Sequence, residues 1–445
     1  MSKSTKFTVA VLIAAALASS GCSLLKKGSG PKTPVLGQRI PVLTTEGNVE
    51  VDPATQALPF SLPPAVENSG WTESGGNASN SMGQVALGDA LRPAFTVQAG
   101  RGSSLTARLA APPIVANGRV YTIDTLGAVR SFDVRTGRIL WASQTPYEER
   151  TNTPAIYGGG IAYDNGRIFA TNGLGYVAAL SEQNGGILWR VRPGGPLRGA
   201  PTVANGAVYV ISQDNQIYSL KESDGSTNWS EAASVEIAGL FGAASPAVGQ
   251  GTVVAGFSSG ELNGYRYENG RQVWQDQLQR TSISTSVSSL SDIDADPVID
   301  SGQVFAIGAG GRMVALDIVS GQRLWELSIA GISTPWVAGD WVFVVTSDDK
   351  LMCIYRQNGH IRWINQLPRF AKPKSQSGDL SYSGPVLAGG RLIVTASNGQ
   401  VLQFDPATGN YRTQFAVGAP VDLPPVVAES TLFVYDDLGR LHAYR

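Results

Sequence analysis

The side chains that most often carry catalysis or bind metals are scarce here: two Cys, Cys22 and Cys353, and two His, His360 and His442, in 445 residues. A Cys/His metal site needs about four ligands and a disulfide framework needs pairs, so most such sites are excluded. Gly256-Phe257-Ser258-Ser259-Gly260 has the Gly-x-Ser-x-Gly spelling of a nucleophile elbow. That device requires a strand-to-helix turn and a triad His. The segment lies instead between two β-type runs with no helical period after it, and reads as a glycine-rich hairpin. His360 and His442 have no local partners resembling a metal site and read as surface or packing residues. Cys353, inside the apolar run from Leu351 to Tyr355, reads as a small buried hydrophobe. The acidic pair Asp292 and Asp294 remains, as a candidate for recognition rather than bond-making.

Composition narrows the classes further. Gly accounts for 52 residues and charged residues for only 16% of the chain, against about 25% in an ordinary globular protein. With 34 Lys+Arg against 35 Asp+Glu, no basic surplus exists for phosphate neutralisation, so a nucleic-acid partner is not expected. The chain reads as mainly globular and rich in turns.

Lys3 and Lys6 precede an apolar run from Phe7 to Ala18, and Ser19-Ser20-Gly21-Cys22 follows. A mature membrane-spanning helix needs about 20 apolar residues, so this shorter run reads as a secretion signal, residues 1–21. The small residues before Cys22 resemble the bacterial lipobox, in which the Cys is acylated and becomes the new N-terminus; Ser19 departs from the usual Leu. The alternative is an ordinary signal peptide with an incidental Cys. Ser23, in place of Asp, implies by the same resemblance sorting to the outer membrane, facing the periplasm. Residues 22–91 lack sustained periodicity and read as a lipidated N-terminus and flexible tether, with local structure near Trp71.

The remaining chain, residues 92–445, is repetitive. A Gly-x-x-x-Trp pattern recurs at Trp141, Trp189, Trp229, Trp274, Trp325 and Trp363, with a seventh copy that keeps Gly409 but has Thr413 for Trp. A turn pair, Asn117-Gly118 in its first copy, precedes each and recurs at spacings of 48, 40, 45, 51, 38, 50 and 40. Asn-Gly between β-branched runs is a hairpin signal, because a type I′ turn needs positive φ at both central residues. Four short runs per unit predict four antiparallel strands, and units of this length predict propeller blades. The expected fold is all-β, an eight-bladed propeller. Its eighth unit has only three strands before the C-terminus, so Ala94 to Gln98 is expected to close that blade.

The Ala315-Leu316-Asp317 to Gly321 and Trp325 pattern looks like the pyrroloquinoline-quinone (PQQ) type repeat, in which the Trp packs between blades. Quinoprotein dehydrogenases and the BamB family of outer-membrane protein assembly lipoproteins carry it. The dehydrogenases cover their cofactor with an adjacent-Cys disulfide and hold Ca²⁺ beside it. This sequence has no Cys-Cys pair and no compact acidic cluster, so no cofactor and no metal are expected. Leu290-Ser291-Asp292-Ile293-Asp294 and Leu240-Phe241-Gly242 resemble two BamB segments that contact the barrel insertase BamA; Phe241 stands where that family has Arg. The resemblance implies a non-catalytic subunit of the β-barrel assembly (Bam) complex, with BamA, other Bam subunits and nascent outer-membrane proteins as partners and lipid as the membrane anchor. Leu240 and Phe241 would then form an apolar anchor beside the carboxylates of Asp292 and Asp294. Alternatively the two Asp satisfy turn backbone. A lipid-anchored PQQ-dependent dehydrogenase and a ligand-sensing propeller are the rival functions.

Overall fold

The β-branched runs and their turn pairs pair as the spacing requires. The computed structural model describes residues 49–145, 157–235, 244–278 and 291–445. Eight four-stranded antiparallel sheets make up the blades. Blade 1 spans residues 114–144, blade 2 159–191, blade 3 202–232, blade 4 247–277, blade 5 298–327, blade 6 336–366, blade 7 382–416 and blade 8 426–444. The strand Pro93–Gln98 is the fourth of blade 8, with Val97 opposite Leu441. Beginning and end of the propeller chain thus share one sheet, and no blade pair is left joined by side chains alone. Buried His442 fastens this seam, with Nε2 2.8 Å from Asp436 Oδ2 and Nδ1 3.1 Å from Thr96 Oγ1. Residues 370–379 add a two-stranded hairpin between blades 6 and 7.

The recurring Gly and Trp form one joint between neighbouring blades. The indole N–H of Trp141 donates to Glu182 O at 2.8 Å, that of Trp274 to Ile318 O at 2.7 Å, and that of Trp363 to Pro406 O at 3.0 Å; each acceptor lies in the next blade's third turn. Trp189, Trp229 and Trp325 donate to Glu222, Tyr267 and Arg356 in the same way. The Gly of that turn lies against the ring. At Gly321, φ is +69° and a Cβ would stand 2.5 Å from Trp274, so both the conformation and the space demand Gly.

The two irregular positions follow from chain closure. The third strand of blade 8 ends at the C-terminus, so no glycine turn faces the outer strand of blade 7, and Thr413 replaces Trp there. Across the seam, Phe95 supplies the ring that Gly137 of blade 1 packs against. Gly321→Ala should destabilise the protein by roughly 2 kcal/mol or more, since an L-residue in the left-handed region alone costs about 1–2 kcal/mol. A denaturant midpoint within error of wild type would refute this joint.

Residues 49–91 differ from the flexible tether expected of them. They are packed, and the part from Asn68 to Val85 runs round the channel. Asn68 pairs with blade 8, Trp71 with Val115 of blade 1, Thr72 with Tyr163 of blade 2, Ala78 with Val248 of blade 4, Ser79 with Ile299 of blade 5, and Val85 with Leu387 and Gly389 of blade 7, all through main-chain bonds of 2.6–3.2 Å. Glu73 Oε1 accepts from Val203 N of blade 3 and Gly83 O from Trp336 Nε1 of blade 6. The innermost strand of each blade turns an unpaired edge toward the channel, and those donors and acceptors need partners. This segment supplies them blade by blade.

Candidate partner-binding face

Strand direction sorts the loops onto two faces. First and third turns of each blade, holding the Asn-Gly and column glycines, lie on one face; second turns and the connections between blades lie on the other, here called the connection face. The N-terminal segment meets the inner strands near their Asn-Gly ends, so it floors the channel on the turn face. Between that floor and the connection face lies a cavity of about 70 Å³, lined by Trp71, Asn80, Asp296, Thr334, Trp336 and Pro424 among others.

Asp292 and Asp294 precede the inner strand of blade 5, on the connection face. Contrary to the polar rim expected of them, they point inward: Asp292 is fully buried and Asp294 nearly so. Arg198, 3% exposed, reaches across from the start of blade 3 and stands 3.0 Å from Asp294 and 3.7 Å from Asp292. Two desolvated carboxylates need a cation, and Arg198 supplies one to both. The main chain is held as well, since Ala309 N donates to the Asp292 carbonyl at 2.8 Å, a bond that leaves the carboxylate to Arg198. Sequence reasoning missed Arg198. Its signal was the Leu197-Arg198-Gly199 triplet, the spelling sought before blade 4 but standing before blade 3. Leu240, Phe241 and the lipid-site Cys22 lie outside the described residues.

Burial pushes Asp296 up to about 6, opposed by a hydrogen bond from Ser245 N, and Asp294 up to about 6, opposed by the Arg198 guanidinium. Glu73, buried in the channel floor, is raised well above the usual carboxylate range for the same reason. For a carboxyl raised in the folded state, the stabilising contribution is complete below the unfolded value near 3.8 and is lost as pH rises through about 6. Unfolding midpoints should therefore rise from pH 8 to pH 5. In Asp296→Asn the rise between pH 8 and pH 5 should shrink by roughly 1.4 kcal/mol, the worth of the one pKa unit that separates pH 5 from the folded value. An undiminished rise would remove Asp296 as a source.

Among the described residues, five large apolar side chains are exposed on the connection face: Leu105, Leu126, Val235, Ile332 and Leu438, with Leu105 96% and Val235 73% exposed. The remaining sequence candidates are quiet. Cys353 is fully buried and its thiol is raised by burial. The Gly256 to Gly260 segment is the hairpin expected, with Ser258 Oγ bonded to Asn215 Oδ1 at 2.9 Å. His360 rests 3.2 Å from Asp52.

The architecture is that of a PQQ-type repeat propeller. A profile described as outer membrane protein assembly factor BamB matches residues 127–365, more than half of the chain, and the chain belongs to that family. It is 27% identical over 333 residues to the outer membrane protein assembly factor BamB of Yersinia pestis, covering 73% of this chain and 81% of that one. It is 26% identical over 377 residues to the Escherichia coli K12 protein of the same name, covering 74% and 83%. Among solved structures, BamB from Moraxella catarrhalis superposes with a TM-score of 0.65 at 18% identity, over 80% of this chain and all of that one. A europium-containing methanol dehydrogenase also gives 0.65, at 13% identity, over 84% and 98%. Shape alone does not separate assembly factor from quinoprotein; the sequence matches do.

Proposed function

We propose that this chain is a non-catalytic scaffold subunit of the outer-membrane β-barrel assembly machinery. It is held at the periplasmic face of the outer membrane by lipid on Cys22 and binds the BamA insertase through the connection face. The observation that supports the binding face is that Val235 and Ile332, on the connections into blades 4 and 6, expose apolar side chains on either side of the connection into blade 5. Leu240 and Phe241 belong to the same inter-blade connection as Val235, and extend the proposed contact. Asp292 and Asp294 then act from beneath: paired with Arg198, they fix the connection that leads into blade 5. The outer edge strands, Tyr411–Ala416 for example, offer unpaired backbone to nascent barrel strands.

The channel favours a scaffold over a quinoprotein. A cavity of about 70 Å³ lined by the Asp296 carboxylate, and by no cationic side chain among the described residues, suits a carboxylate-bearing quinone poorly. Adding PQQ and Ca²⁺ to the purified protein should give no absorbance beyond the sum of the components.

A photocrosslinker at position 235 or 332 in cells should capture the insertase, and one at 319, on the turn face, should not. Val235→Asp with Ile332→Asp should cut capture about tenfold or more while leaving stability within about 0.5 kcal/mol, as exposed positions allow. Equal capture from all three positions would defeat the assignment of this face.

A further inference from the structure

The floored channel holds a cavity of a definite chemical character. Its floor is Trp71 with Asn80, and its wall includes Trp336, stacked on Trp71 with ring centroids 5.8 Å apart. Both indole N–H groups are spent, on Ser74 O and Gly83 O. What the rings offer a guest is carbon edge and π-face. Asp296 lines the same cavity and is 5% exposed. Its Oδ1 accepts from Ser245 N at 2.6 Å, and its own N–H donates to Thr334 Oγ1 at 3.1 Å. Among the described residues, no Lys, Arg or His lines the cavity. Arg198 is occupied with Asp292 and Asp294, and a second carboxylate, Glu73, is buried in the floor.

A carboxylate and aromatic rings around a space of a few heavy atoms select one class of guest. An anion would meet Asp296. A purely apolar group would add no charge compensation to the hydrogen bond from Ser245 N that the carboxylate already accepts. An ammonium on a short alkyl stem satisfies both surfaces: the charge meets Asp296 and the methylenes lie on the rings, where a cation also gains from the π-system.

We infer that the channel cavity is a binding site for an alkylammonium group, reached from the connection face and held between Asp296 and the Trp71–Trp336 pair. A lysine tip from a partner segment and a free small amine share this chemistry. The inference is independent of which protein binds the connection face.

The test is a calorimetric titration of the purified full chain with Nα-acetyl-lysine methylamide and with its neutral isostere, Nα-acetyl-norleucine methylamide. The lysine derivative should bind, and the norleucine derivative should bind at least tenfold more weakly. Asp296→Asn should weaken the lysine derivative at least tenfold. Ser333→Phe, which fills the cavity without touching Asp296, should abolish binding, and it carries the test if Asp296→Asn fails to fold. Equal affinity for the two derivatives, an affinity unchanged in both variants, or no binding of the lysine derivative at millimolar concentration would overturn the proposal.

The source is read with n-butylammonium. Binding to the isolated chain but not to the purified assembly complex identifies a partner's lysine as the guest. Equal binding to both identifies a free amine. Failure of this titration leaves the crosslinking prediction for positions 235 and 332 untouched, so the two readings fall separately.

Discussion

Arg198→Ala should destabilise the folded protein by about 3–5 kcal/mol, the usual cost of leaving a buried charge without its partner. The guanidinium is 3% exposed and serves both Asp292 and Asp294, so its loss removes a cation from two buried carboxylates. The penalty should depend on pH with a definite sign. Asp294, already pushed up to about 6, would rise further without the guanidinium, and protonation would relieve the cost. The variant should therefore lie closer to wild type at pH 5 than at pH 8. Adding Asp292→Asn and Asp294→Asn to Arg198→Ala should restore most of the stability at pH 8. Denaturant midpoints at both pH values read all of this. A penalty under about 1 kcal/mol at pH 8, or one that grows on acidification, would show that the triad carries no net interaction. The expectation also bears on binding: a variant lacking both Asp would lose insertase capture through misplacement of the connection, so capture has to be scored beside stability.

Trp71→Ala should cost about 3–5 kcal/mol, as large-to-small changes at buried aromatics do. Trp71 is 2% exposed, exchanges two main-chain bonds with Val115 and stacks on Trp336. In a flexible tether the same change would stay within about 0.5 kcal/mol. A second readout separates global from local loosening. Glu73 is a cleavage site for a glutamyl endopeptidase and is 3% exposed, so cleavage there should be slow in wild type and faster in the variant under native conditions. Equal cleavage rates with an unchanged midpoint would return residues 49–91 to the status of a tether.

The blades were legible because their interactions are local and repeated. Each Asn-Gly pair closes a hairpin between adjacent strands, and each column Gly from Gly185 onward meets the Trp of the preceding blade. Both therefore recur at one period. Even the irregular seventh copy had a readable cause: Thr413 faces the place where blade 8 has no third turn. The channel floor was not legible for the opposite reason. Residues 68–85 pair with one blade after another, one or two bonds at a time. A chain that spends its hydrogen bonds on many different partners has no period of 2 or 3.6 to display. Arg198 was hidden in a comparable way, since it stands 96 residues from Asp294 and nothing in the local sequence of either predicts the other.

The sequence alone thus determined the number of blades, the position of their turns, the strand that closes the ring and the poverty of thiol and imidazole chemistry, all consequences of short-range turn geometry and strand pairing. Tertiary structure decided which way the functional candidates face. Only the closed ring brings Arg198 over Asp292 and Asp294 and turns a presumed rim into a buried ion triad. Only the ring creates eight inward strand edges for the N-terminal segment to satisfy. Desolvation is the common physical reason: burying a charge or a backbone edge requires a partner, and that partner comes from wherever the fold, not the sequence order, has placed one.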